Sequence, residues 1–187
     1  MFQTGDIIVY RHHVCEIAGI RKNYFEDKDY VELHALFENS LKLFVPKTDA
    51  KPPTLRATMT KKEALDLIDS IAYADPINEK DVTQGPATAT IVEKRMREEY
   101  DKLLKTFTPE DLVPIIKSVY ARTEHRMDTG RRITATDKRY FNLAENLLCN
   151  ELSISLGIDR DNVRDYLIER VKAAEAKRAR KPLLRRA

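Results

Sequence analysis

His12, His13, Cys15 and His34 are residue types that ligate zinc. Adjacent histidines on a strand point to opposite faces, however, and no further His or Cys is spaced to complete a tetrahedral set, so no metal site is expected. Covalent and redox chemistry find as little to work with. There is no P-loop, no G-x-S-x-G, no H-E-x-x-H and no dinucleotide fingerprint. Five glycines in 187 residues leave little material for a loop that cradles phosphates. No enzymatic activity and no cofactor are expected.

Cations are more abundant. With residues 88–106 projected at about 100° per residue, Val92, Met96, Tyr100 and Leu103 fall on one face. Lys94, Arg95, Lys102 and Lys105 occupy the opposite half, with Arg97 at its border. A basic helix face suits phosphate contacts, because flexible cationic side chains neutralise backbone charge without any base register. Glu98 and Asp101 share that half, and a solvated face laced with salt bridges is the competing reading. Lys138 and Arg139, one turn into a later helix, form a second cationic group with Arg131 and Arg132 just upstream. The free N–H groups of that helix start would add phosphate affinity; a charged first turn facing water is the alternative.

The net charge of +3 is unevenly divided. Residues 1–90 carry 11 Lys and Arg against 14 Asp and Glu, or −3, and residues 91–187 carry 22 against 16, or +6. A basic C-terminal half fits one unit for a protein partner and another for a polyanion. Hydrophobic residues at 42%, charged residues at 34% and a mean hydropathy of −0.50 support real cores and exclude a membrane protein. No apolar run approaches the roughly 20 residues that cross a bilayer. Met1-Phe2-Gln3-Thr4-Gly5 lacks the basic and apolar regions of a secretory signal, so a cytoplasmic location is expected. Cys15 and Cys149 fall in different predicted units among apolar neighbours and are expected as buried free thiols.

The elements that position these residues follow from pattern. Short apolar runs at Ile7 to Tyr10, Val14 to Ile20, Tyr30 to Phe37 and Leu41 to Val45 alternate with polar turn clusters at Asn23 to Asp29 and Glu38 to Ser40. That is the rhythm of a small antiparallel barrel, ended by the aperiodic Lys47 to Pro53. Thr60 with Glu63 three residues on is a capping box and predicts a helix over 60–73. Asp75-Pro76 and Gly85-Pro86 bracket a polar linker. Further helices are predicted from Thr88 to Thr106, from Thr108 towards Met127, from Thr134 to Gly157, and from Asp159 through Val171. Pro114 is expected to distort the second of these. The expected class is α+β, with a β domain over 1–54, a connecting helix and linker over 55–86, and an all-α domain over 87–187.

Several strings, taken in order, resemble one family. They are Met1-Phe2-x-x-Gly5-Asp6-x-x-Val9-Tyr10-x-x-His13, strands ending at Val45-Pro46, Leu55-Arg56 with Thr60 to Asp69, Glu93 to Arg97 with Tyr100 to Leu103, and Ile133 to Arg139 leading into Leu147 to Leu152. In composition, order and spacing these are similar to the CarD/CdnL-type bacterial transcription regulators, over most of residues 1–157. The resemblance implies a Tudor-like N-terminal domain that docks on the RNA polymerase β subunit by edge-strand pairing, with Lys42, Phe44 and Asn23 on the polymerase-binding surface. It implies a helical domain whose Lys94, Arg95, Arg97 and Lys138 approach the promoter DNA backbone, with Arg139, Arg131 and Arg132 extending that set. The family's tryptophan wedge into the minor groove has Thr90, Ile91 or Val92 in its place, since the chain has no Trp. Phe44 stands where the family carries a basic side chain, leaving interface anchor and core packing both open. Arg11 and Val14 stand where many members have Pro and Gly, as in a divergent branch. The implied function is modulation of open-complex stability by a nucleoid-associated monomer; a polymerase-binding adaptor whose helical domain recruits a protein is the alternative.

Overall fold

The computed structural model describes residues 2–47, 54–83 and 85–180. Five strands, β1 (Ile7–Tyr10), β2 (His13–Phe25), β3 (Lys28–Ala35), β4 (Lys42–Pro46) and β5 (Leu55–Ala57), form one antiparallel sheet in the order β4-β3-β2-β1-β5. Helices α1 (Lys61–Ile71), α2 (Glu79–Thr83), α3 (Ala89–Leu104), α4 (Leu112–Asp128), α5 (Ala135–Leu156) and α6 (Arg160–Arg180) follow. The chain is therefore α+β, with an open sheet whose edges are β4 and β5. Among the described residues no helix is long and apolar enough to cross a membrane.

Period-2 alternation gives the sheet two differently used faces. Ile8, Cys15, Ile17, Leu33 and Val45 form a small core on one. Val9 and Val14, register partners on the other, are equally buried. Val9 also pairs with Arg56 of β5, so Arg56 projects from that second face. β2 runs further than the pattern predicts, to Phe25, and the predicted turn from Asn23 shrinks to Glu26 and Asp27. Both adopt positive φ (50° and 54°), as a two-residue hairpin turn of right-handed twist requires. Packing favours the longer ladder: Tyr24 stacks on Phe44 of β4 and meets Tyr30 edge-on.

The helices begin and end on local chemistry. At α1 the capping box is complete, with Thr60 Oγ1 accepting from the Glu63 N–H at 3.2 Å and Glu63 accepting from the Thr60 N–H at 2.7 Å. Thr134 Oγ1 accepts from the Asp137 N–H at 3.0 Å to start α5, which ends at Gly157 in the left-handed region (φ 66°). The predicted cap at Thr108 is not used. α4 starts at Leu112, which puts Pro114 in the first turn, where its missing N–H has no intrahelical partner to lose. The thiols of Cys15 and Cys149 are buried and free, and burial pushes them up to about 12 and about 11.

The stretch expected to connect two domains is part of both. β5 completes the sheet. Met59, Ala64, Leu67, Ile68 and Ile71 join Met96, Tyr100, Ile115, Leu148 and Val163 in one helical core, with Ile77 and Val82 packed against it. The two halves also share a polar seam. Arg56 donates twice to Glu151 of α5 (2.5 and 2.7 Å), and the Met59 N–H donates to the same carboxylate at 3.0 Å. His12 donates from Nε2 to the Leu104 carbonyl at 2.8 Å and packs edge-on against Phe107.

Candidate functional site

A cleft of about 530 Å³ opens between α3, the end of α4 and the start of α5, lined by Thr90, Lys94, Arg97, Arg126, Arg131 and Thr136, with Ala89 and Glu93. Burial of Met96 and Tyr100 anchors the inner face of α3 and turns Lys94 and Arg97 outward. The loop into α5 folds back on α4: the Arg131 N–H donates to the Arg126 carbonyl at 2.8 Å, and Arg126 Nε donates to the Arg132 carbonyl at 3.0 Å. Four cations thus face the single carboxylate of Glu93. Among the described residues Arg97 and Arg131 make no ion pair, whereas Lys94 pairs with Glu98 one turn on, at 4.0 Å. The first turn of α5 adds the positive end of its dipole, with its Asp137 N–H already capped by Thr134. Such a wall suits an anionic polymer with repeated phosphates; it holds no nucleophile and base in contact. Among the described residues no group of three His, Cys, Asp or Glu is arranged to hold a metal ion.

The structure divides the expected cationic set. Lys94, Arg97 and Arg131 come together, with Arg126 as a fourth member that periodicity missed. A basic residue in a last helical turn reads as helix-end chemistry, which hid its second use. Arg95 lies in a different groove, between α2 and α3, where Glu98 accepts from it at 2.9 Å. Lys102 there pairs with Glu99 at 3.2 Å. Arg132, Lys138 and Arg139 are exposed outside the cleft lining, and Arg139 stacks over the Tyr140 ring at 4.8 Å. Of the three residues that the resemblance puts in place of a tryptophan, Val92 packs on the core, Thr90 lines the cleft and Ile91 is 47% exposed.

On the sheet, Lys42 and Phe44 lie on the same face of edge strand β4, opposite the side of the small core, as their register with His34 and Glu32 requires. Phe44 stacks on Tyr24 at 4.5 Å with the rings 14° apart. Arg21 at 2.5 Å and His34 at 2.8 Å both donate to Glu32, holding its carboxyl down at about 2, with Lys42 Nζ 3.8 Å away. Asn23 sits in the hairpin at φ 48°, its N–H donating to Asp29 at 3.2 Å. Phe44→Ala removes one half-exposed aromatic stack and is expected to cost about 1 kcal/mol, a shift of a few degrees in thermal unfolding. A loss above about 10 °C would make Phe44 a core residue instead. No protein-family model matches the chain, and no curated protein matches it.

Proposed function

We propose that this chain is a transcription regulator of the CarD/CdnL type, which joins RNA polymerase to promoter DNA without reading base sequence. The observation that carries this reading is the convergence of Lys94, Arg97, Arg126 and Arg131, from three elements, on one cleft beside the start of α5. Cations without internal partners keep their counterions until a phosphate replaces them, which is the source of salt-dependent, sequence-independent affinity. The sheet supplies the other half, a Tudor-like module whose edge strand β4 carries Lys42 and Phe44 and offers unpaired backbone groups to a strand of the polymerase β subunit. Tighter binding to the melted promoter than to the closed one shifts that equilibrium by the affinity ratio, about 1.4 kcal/mol per tenfold.

Binding of the full chain to a short duplex tests the reading. If three phosphates are contacted, affinity falls roughly 40-fold between about 50 and 200 mM salt. Arg97→Ala and Arg131→Ala each lower the salt slope by about one, whereas Arg95→Ala, engaged by Glu98 in the other groove, changes it little. Absence of binding at low salt, or an equal effect from Arg95→Ala, sinks the proposal. Co-purification of polymerase with the tagged chain, weakened by Phe44→Ala, tests the sheet.

A further inference from the structure

Arg97 is available to an external phosphate because a neighbouring carboxylate is engaged elsewhere. Glu93 and Arg97 stand four residues apart on α3, the spacing and order that favour an ion pair within one helix. Glu93 nevertheless turns to Arg122 of α4, its Oε2 lying 3.9 Å from Nη2. Arg122, with 10% of its side chain exposed, also contacts Glu79 of α2 and donates to both carboxylate oxygens of Asp137 in the first turn of α5, at 3.2 and 3.3 Å. Burial works against a charge at this place, but attraction to Asp137 and Glu79 outweighs it and keeps the guanidinium more firmly protonated than usual. One side chain therefore ties the α3 wall of the cleft to the α5 wall by pairing with an acid on each.

We propose that Arg122 is a positioning residue for phosphate binding: by holding Glu93 and Asp137 from beneath, it leaves Arg97 free for a ligand phosphate and sets the spacing of the two walls. The inference rests on the reading of the cleft as a site for a phosphodiester backbone. Without Arg122, Glu93 falls back on Arg97, and an internal carboxylate competes with the ligand for the same guanidinium.

Anisotropy of a labelled duplex, titrated with the full chain across the same salt range, decides the matter. Arg122→Gln is expected to weaken binding roughly tenfold and to lower the salt slope by about one, the signature of a lost phosphate contact. Adding Glu93→Gln to that variant restores affinity and slope to within about twofold of Glu93→Gln alone. A folded Arg122→Gln protein that binds like wild type overturns the proposal. So does a double variant that stays weak while its circular dichroism is native, since removing one charge does not repair lost packing. If Arg122→Gln does not fold, a cycle of Glu93→Gln and Arg97→Ala with Arg122 intact gives the answer. Their effects add if Arg122 holds Glu93; a gain from Glu93→Gln that vanishes with Arg97→Ala puts Glu93 on Arg97 and refutes the idea. A wild-type chain that ignores DNA, or an Arg97→Ala variant without effect, overturns the phosphate reading itself and this inference with it. Normal dependence on Arg97 without rescue by Glu93→Gln overturns the role of Arg122 alone.

Discussion

Glu151→Ala is expected to lower the thermal midpoint by about 10 °C, a large effect for a single polar substitution. Glu151 is 3% exposed and is the only described carboxylate that meets Arg56, which donates to both of its oxygens, while the Met59 N–H takes a share of one. Truncation leaves a guanidinium and a backbone N–H at the seam without their acceptor. Breaking one side of a buried pair costs about 3 to 5 kcal/mol, and the lower end applies because Arg56 can swing towards water. Glu151→Gln keeps an acceptor for Met59 and one for Arg56, so about half of the loss is expected to remain. Differential scanning calorimetry measures both variants; a shift below about 2 °C for Glu151→Ala would reduce the pair to a dispensable contact.

Ile68→Ala is expected to cost about 3 kcal/mol, again close to 10 °C in midpoint. Ile68 is fully buried and belongs to the same core as Tyr100, Ile115 and Leu148, so the deleted carbons leave a cavity in the shared core, where α1 packs on α5 and α6. If α1 were only a connector, the same substitution would cost less than about 1 kcal/mol and leave the unfolding of α3 to α6 untouched. Denaturant titration followed by far-ultraviolet circular dichroism separates the two outcomes, since a shared core requires one transition with an unchanged slope.

Much of the local architecture was legible in the chain. β1, the capping box at Thr60 and Glu63, the N-cap Thr134, the stop at Gly157 and the Met96–Tyr100 stripe all rest on chemistry within a few residues, where pattern and structure are nearly the same statement. β5 was not legible, because three residues, Leu55 to Ala57, are too short to show alternation and owe their conformation to β1, which precedes them by more than forty residues of chain. α2, five residues without a buried side chain, left no apolar period to find. The predicted cap at Thr108 failed for a local reason, since Pro114 is tolerated only near a helix start and drew that start to Leu112.

The cationic site shows the same division at the level of function. Composition and helical projection by themselves determined that this chain is α+β, that its C-terminal half is basic, and that α3 turns an apolar stripe inward and cations outward. Only the tertiary structure decided which cations act together. It put Arg95, already paired with Glu98 three residues on, in one groove and gathered Arg97, Arg126 and Arg131 in another, and it gave Glu93 to Arg122 instead of to Arg97. It also joined Arg56 to a carboxylate 95 residues away. The physical reason is range. Caps and amphipathic periods are settled by neighbours within a turn or two, whereas a charged group takes its partner from whatever element packs beside it, and its energy depends on that partner and on the water left between them.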